Sequence, residues 1–239
     1  MRPIARIRTP FPGKFGVPRQ SGLAPSLEGR IVFLPEFRSP EALRGIGQFS
    51  HLWLLWQFSL PEREGWSPTV RPPRLGGNER VGVFATRSPN RPNPIGLSCV
   101  RLLSVEEETP EGPVLLVSGV DMTDGTPILD IKPYLPYTDS RPEATGGFAE
   151  RERGRLLTVR IPEELRRRLP EELCRSLEEI LAQDPRPAYH RDGERVYGFP
   201  FAGREIRFRV EEGGVLTVLS AEELSGENAG ASAPHSRLD

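Results

Sequence analysis

Two arginines held in a stiff loop are the first residues here whose spacing could do chemistry. Residues Gly82 to Gly96 read Gly-Val-Phe-Ala-Thr-Arg-Ser-Pro-Asn-Arg-Pro-Asn-Pro-Ile-Gly. Proline fixes φ and removes an amide donor, so Pro89, Pro92 and Pro94 exclude a helix interior or a central strand. Arg87 and Arg91 therefore sit on a rigid loop, between an apolar run Val81 to Ala85 and another from Ile95 to Leu103. Fixed guanidinium groups between buried strands suit recognition of phosphate or carboxylate. A second set runs from Asp121 to Tyr137, with Asp121, Asp124, Asp130, Lys132, Tyr134 and Tyr137 in one short stretch. Asp124-Gly125 marks a turn that concentrates these groups at one hairpin end. The acids there either cap their own backbone or accept a proton and bind polar groups of a ligand.

Two further loops carry polar groups between breakers. In Lys14 to Leu23, Arg19 and Gln20 lie between Pro18 and Gly22, and glutamine can present a donor and an acceptor to an adenine edge. In Thr69 to Gly77, Arg71 and Arg74 flank a diproline, the position of either a phosphate contact or a solvated loop. Known phosphate and hydrolase signatures are missing. Gly45-Ile-Gly47 lacks the third glycine and the following helix of a dinucleotide fingerprint, and there is no Walker loop, Gly-x-Ser-x-Gly elbow or HExxH. His51, His190 and His235 stand apart, and lone histidines of this kind read as structural.

The elements that must position these loops are short β-type runs punctuated by 26 Pro and 24 Gly, the pattern of a barrel or sandwich. The runs are Ile4 to Arg8, Arg30 to Phe33, His51 to Phe58, Val81 to Ala85, Ile95 to Leu103, Val114 to Asp121 and Pro127 to Ile131. His51 to Phe58 is apolar on both faces and reads as a central strand. Pro40 to Gly45 reads as a turn or two of helix. A polar linker from Arg141 to Gly154 separates residues 1–147 from a small α+β domain at 155–222. That domain reads as a strand from Arg155 to Ile161 and a helix opened by Pro162, which Pro170 either kinks or follows with a second helix, Glu171 to Gln183, with Leu173, Leu177, Ile180 and Leu181 on one face. Strands Glu194 to Phe199, Arg204 to Glu211 and Val215 to Leu219 follow, the last two joined by a hairpin at Gly213-Gly214. Residues 225–239 are Gly/Ala/Ser-rich and read as a disordered tail.

Composition bounds the partners. The chain has 239 residues and a net charge of −1, so no global basic field advertises nucleic acid. Lys14 and Lys132 are the only lysines, a bias that matches a GC-rich coding sequence, so any anion site must rest on particular arginines. Cys99 and Cys174 lie far apart and near no ligand-spaced partner, which points to a reducing cytoplasm and away from a metal. No signal peptide is read, and the apolar stretch Leu52 to Leu60 is too short to span a bilayer.

Together these segments resemble the bacterial and archaeal tRNA methyltransferases of the TrmO family. The resemblance is carried by Phe15 to Gln20, Phe49 to Trp53, Arg71 to Gly77, Gly82 to Ser88, Arg91 to Gly96, Asp124 to Pro127 and Asp130 to Tyr134, with Ala182 to Tyr189 similar to the family's C-terminal motif. It spans roughly residues 1 to 222. It implies a TsaA-like β-barrel that binds S-adenosyl-L-methionine, a small C-terminal domain, a homodimer, and methylation of N6 of threonylcarbamoyl-adenosine at position 37 of the tRNA anticodon loop. By position it implies cofactor contacts at Pro18, Arg19, Gln20, Ser59, Leu60, Arg87, Leu97, Asp121, Met122, Thr123 and Asp124. At Ser59 and Leu60, where the family often carries polar residues, such contacts would run through the backbone.

The transfer requires alignment of nitrogen, methyl and sulfur, and loss of the N6 proton. Asp124 is the first expected acceptor of that proton and Asp130 the second, with Lys132 or an arginine pairing the threonyl carboxylate. Arg87 is expected on the cofactor and Arg91 on the RNA or a partner subunit, with Arg71, Arg74, Arg186 and Arg191 as further tRNA contacts. Two other readings stay open: a barrel that binds RNA or a nucleotide without turnover, and methyl transfer to a different small substrate.

Overall fold

The computed structural model describes residues 1–58, 66–72, 79–151, 156–186, 193–211 and 213–224. Six antiparallel strands close into a barrel: β1 (Ala5–Arg8), β2 (Glu28–Phe33), β3 (His51–Gln57), β6 (Ile95–Glu106), β7 (Val114–Ser118) and β8 (Pro127–Pro133), in the order β1-β2-β7-β6-β3-β8. β4 (Thr69–Val70) and β5 (Val81–Gly82) form a separate two-stranded ribbon. Alternation decides what faces in. On β3, Leu52, Leu54 and Trp56 are buried, and they pack with Ala5, Ile7, Ile31, Phe33, Val100, Leu115, Val117 and Ile128. β3 lies between β6 and β8, as its composition suggested, but its other face is only partly covered.

A second sheet, β10 (Val196–Phe201), β11 (Arg204–Val210), β12 (Val215–Glu223) and β9 (Thr158–Arg160), is antiparallel except for the β12–β9 pair. Short helices α1 (Pro136–Asp139) and α2 (Phe148–Arg151) lie between the two sheets in sequence. α3 (Glu163–Arg166) is a single turn opened by Pro162, and α4 (Glu171–Ala182) follows Pro170 with Glu171 and Glu172 in its first turn, where acids suit the helix dipole. Cys174, Leu177, Ile180 and Leu181 form its buried face.

The loop from Thr9 to Leu27 joins the two sheets. Phe11 packs against Phe201 with ring centres 5.0 Å apart, and Phe15 against Phe199 at 5.9 Å, both pairs tilted. Ala202 N–H donates to the Pro10 carbonyl, and Ser26 donates N–H and Oγ–H to Glu179. Gly16 has φ +87, and a Cβ there would collide with the Phe199 ring, so this close approach requires glycine on both counts.

Several expected strands end elsewhere. Val81 to Ala85 pairs only over β5 and then turns, because Thr86 bonds the Val83 carbonyl with both N–H and Oγ1. The strand expected to reach Asp121 stops at Ser118, since Gly119 takes φ +78 and gives its N–H to Leu27. β6 runs past Leu103 to Glu106, its register shifting between Leu102 and Ser104. Pro40 to Gly45 adopts a 3-10 turn over Pro40–Leu43. The expected tail at 225–239 lies outside the described residues.

Candidate cofactor rim and outer wall

One end of the barrel gathers the ends of β1, β3 and β7 and the starts of β2, β6 and β8. The Pro18–Ser21 loop, the Arg87 loop and the Asp121–Asp124 turn therefore meet there. Arg87 Nη1 donates to Gln20 Oε1, and Gln20 Nε2 donates to the Arg19 carbonyl at 2.6 Å. Arg19 in turn reaches the Asp184 carbonyl at the end of α4, at 3.0 Å.

Asp121 lies just past β7, free of the strand ladder. Ser98 Oγ donates to its Oδ1 at 2.6 Å, and Trp56 Nε1 donates to Ser98 Oγ at 2.9 Å. Ser98 is wholly buried. Burial pushes the Asp121 carboxyl up to about 6, against the opposing pull of the Ser98 hydroxyl, its own amide, the Ser21 amide and the Arg87 charge. Gly96 pairs with Trp56, and a Cβ at Gly96 would overlap the indole, so glycine is what lets Trp56 lie flat enough to reach Ser98.

The edge of β6 beside this cluster is open. Phe58 N–H bonds Pro94 and Leu102 N–H bonds Ser50, so the even residues of β6 turn their peptide groups to β3. Leu97 and Cys99 turn theirs the other way, where pairing with β7 begins only at Arg101. Cys99 N–H is met by Ser21 Oγ at 3.1 Å. The Leu97 peptide group has no strand partner among the described residues, while its side chain, 49% exposed, lies on the outer wall.

The turn that follows Asp121 is stitched down. Thr9 Oγ1 donates to the Met122 carbonyl at 3.0 Å, and Thr123 and Thr126 bond each other through their hydroxyls. Asp124, expected as the first proton acceptor, accepts from Thr9 N–H at 3.0 Å and pairs with Arg8 at 3.5 Å. Asp130, expected second, is on β8 opposite Leu55, and Lys132 is opposite Trp53, which puts both on the outer wall of the barrel. They form an ion pair with each other at 2.9 Å. That wall carries Trp53, whose indole donates to Asp139 at 3.0 Å, and Tyr134 at 5.8 Å from Trp53. His51, Cys99 and Tyr134 line a shallow cavity of about 430 Å³ there.

The expected RNA contacts divide. Arg71 is exposed. Arg91 donates to the Thr86 carbonyl at 2.8 Å and lies over the Phe84 ring, so it braces its own loop. Arg186 is 15% exposed and grips Asp184 through Nε and Nη2. Ser59, Leu60, Arg74 and Arg191 lie outside the described residues. Ser98 and Trp56 were not singled out in the sequence. The available signal was a serine at an inward position of an apolar strand, flanked two residues away by Gly96 and Val100.

The donor set at the rim fits S-adenosyl-L-methionine: a carboxylate for a cationic amino acid, and an amide and an open peptide edge for adenine. Comparison with known proteins agrees. Residues 6–140 match the model of the tRNA-methyltransferase O N-terminal domain, and residues 156–223 that of the TrmO C-terminal domain. A tRNA (adenine(37)-N6)-methyltransferase of Escherichia coli is 43% identical over 219 residues, covering 88% of this chain and 93% of its own. A putative S-adenosylmethionine-dependent methyltransferase, RcsF, of Pseudomonas aeruginosa is 42% identical over 225 residues, covering 91% and 95%. The crystal structure of TrmO from Pseudomonas aeruginosa superposes with a TM-score of 0.73 at 36% identity, covering 93% of this chain and 95% of that one. The fold is thus shared over nearly the whole length, and the chain belongs to the tRNA-methyltransferase O family.

Proposed function

We propose that this chain methylates N6 of threonylcarbamoyl-adenosine at position 37 of tRNA, as an S-adenosyl-L-methionine-dependent enzyme. The supporting observation is the convergence of Gln20, Arg87 and Asp121 on one barrel rim, in a family of tRNA methyltransferases. When bound, the cofactor supplies a methyl group made electrophilic by its sulfonium. The residues that would hold it are Pro18 to Gln20, Arg87, the Leu97 peptide group and Asp121 to Asp124, with Ser59 and Leu60 joining by position.

Within this reading the tied-down turn keeps the pocket floor fixed. Thr9 and Arg8 engage Asp124, so its role is to hold the turn rather than to move a proton. The buried Trp56–Ser98 pair sets the direction of Asp121. Arg71 faces solvent beside the β4–β5 ribbon and would meet RNA phosphate, joined by Arg74 and Arg191.

We place the enzyme in the cytoplasm, as a homodimer. The outer wall supports the dimer: Leu97 is exposed there, beside partly covered Trp53 and Leu55. Light scattering reports the mass directly.

The test uses labelled cofactor and bulk tRNA with and without the threonylcarbamoyl group. Label in modified tRNA alone is expected. Binding without transfer would select the non-catalytic module, and transfer independent of the modification would select another substrate.

A further inference from the structure

The Trp56–Ser98–Asp121 chain has a direction. The Trp56 indole can only donate, and it takes a lone pair of Ser98 Oγ. The Ser98 hydroxyl has one hydrogen and spends it on Asp121 Oδ1 at 2.6 Å. Oδ1 is thereby kept an acceptor, and a proton arriving at this carboxyl must settle on its other oxygen. Ser98 has no second job: it is wholly buried, and neither hydrogen bond satisfies backbone.

Asp121 also stands apart from the other acids of the segment. Asp124 is exposed and paired with Arg8, and Asp130 is paired with Lys132 on the outer wall. Around Asp121, β3 and β6 contribute the neutral Trp56 and Ser98, and the N-terminal loop contributes the neutral Gln20 and the Ser21 amide. Arg87, from the loop after β5, is the charge that bears on it.

Resting on the function proposed above, we propose that Asp121 accepts the N6 proton during methyl transfer, with Ser98 and Trp56 as positioning residues that keep its carboxylate oriented and charged. As the nitrogen–methyl bond forms, the N6–H bond breaks and its proton passes to the Asp121 carboxylate. The methyl–sulfur bond breaks with its electron pair left on sulfur. Charge balances, because the sulfonium becomes a neutral thioether while the carboxylate becomes a neutral acid. Burial that raises the carboxyl to about 6 suits a base working near neutral pH.

The experiment measures single-turnover methyl transfer against pH on tRNA carrying threonylcarbamoyl-adenosine, with saturating cofactor and the full chain. Wild type is expected to lose rate below about pH 6. Ser98→Ala removes a hydrogen bond to the charged form, so its acid limb moves up by about one unit. Ser98→Thr keeps the hydroxyl and returns the limb toward wild type. Carbon NMR of the Asp121 carboxyl in cofactor-free protein gives a readout independent of turnover, and the same upward move is expected there. An unmoved limb or an unmoved carboxyl titration in Ser98→Ala overturns the proposal. So does an Asp121→Asn protein that binds cofactor weakly but turns over normally once saturated, because Asp121 would then only hold the cofactor. If wild type transfers no methyl to modified tRNA at any pH, the proposed function itself fails, a result distinct from an active wild type with an unshifted variant.

Discussion

The barrel rim around Asp121 and the outer wall around Lys132 carry similar residues in different physical states. Each has acids, a cation and a tryptophan within a few side chains of one another. At the rim, the indole and the carboxyl meet through a fully buried serine, and burial outweighs the opposing hydrogen bonds and the Arg87 charge to push the carboxyl up to about 6. On the wall, the Asp130–Lys132 pair is 46% and 62% exposed, so water screens it and holding two side chains in place offsets most of its Coulomb energy. Asp139, beside Trp53, is pulled below its ordinary range by the Leu135 amide and the indole, the opposite direction from Asp121. An accumulation of ionisable residues in the sequence therefore does not tell which carboxyl is pushed up; burial does.

The strongest test of that contrast is Asp121→Asn, expected to lower the transfer rate by about 100-fold or more at saturating cofactor. A loss under tenfold would put the rim on a par with the wall. Next comes the stability of the same variant. A carboxyl raised from 3.8 to about 6 binds its proton more readily in the folded state, so the folded protein loses stability as pH rises from about 4 to 6. The shift corresponds to about 3 kcal/mol. Asn cannot ionise, so the melting temperature of the variant relative to wild type should climb between pH 4 and 6 and then level off. A difference flat with pH would mean that Asp121 is not desolvated. Gly96→Ala forces the Trp56 ring aside and is expected to cost about 1–3 kcal/mol, lowering the melting temperature by at least about 2 °C. Smallest is Lys132→Ala, worth less than about 1 kcal/mol, with the transfer rate within about twofold of wild type. A variant that stops discriminating modified from unmodified tRNA would return Lys132 to the role of threonyl carboxylate partner and make the wall part of the site.

The strands were legible because Pro and Gly punctuate them, and six of the expected runs became barrel strands. Their ends were harder to read, because Gly119 breaks the ladder through a backbone angle that composition does not reveal. The polar loops that meet at the rim could be picked out one by one. Which acid among Asp121, Asp124 and Asp130 is pushed up by burial depends on strand register and on Thr9 and Arg8, more than a hundred residues away in sequence. Ser98 was invisible for a related reason. A serine in an apolar run is ordinary until pairing with Leu54 shows that it points inward. The Arg186 ion pair was not read either, although its partner is local. Asp184 adopts φ 50 and lies two residues back across Pro185, and that spacing brings the carboxylate onto the guanidinium.

The seating of Gly16 under the Phe199 ring bears on how such a chain can change over generations. The Thr9 to Leu27 loop carries Phe11 and Phe15, which anchor it to the second sheet, and also Arg19 and Gln20, which reach the rim. Exchanging the C-terminal module for a foreign one at the linker would strip Phe11 and Phe15 of their partners and leave the Gln20 loop to its barrel contacts at Phe11, Ser21 and Gly22. A productive recombinant has to bring its own counterpart for Phe199 and Phe201. The two sheets are separate in architecture, and this loop ties one to the other.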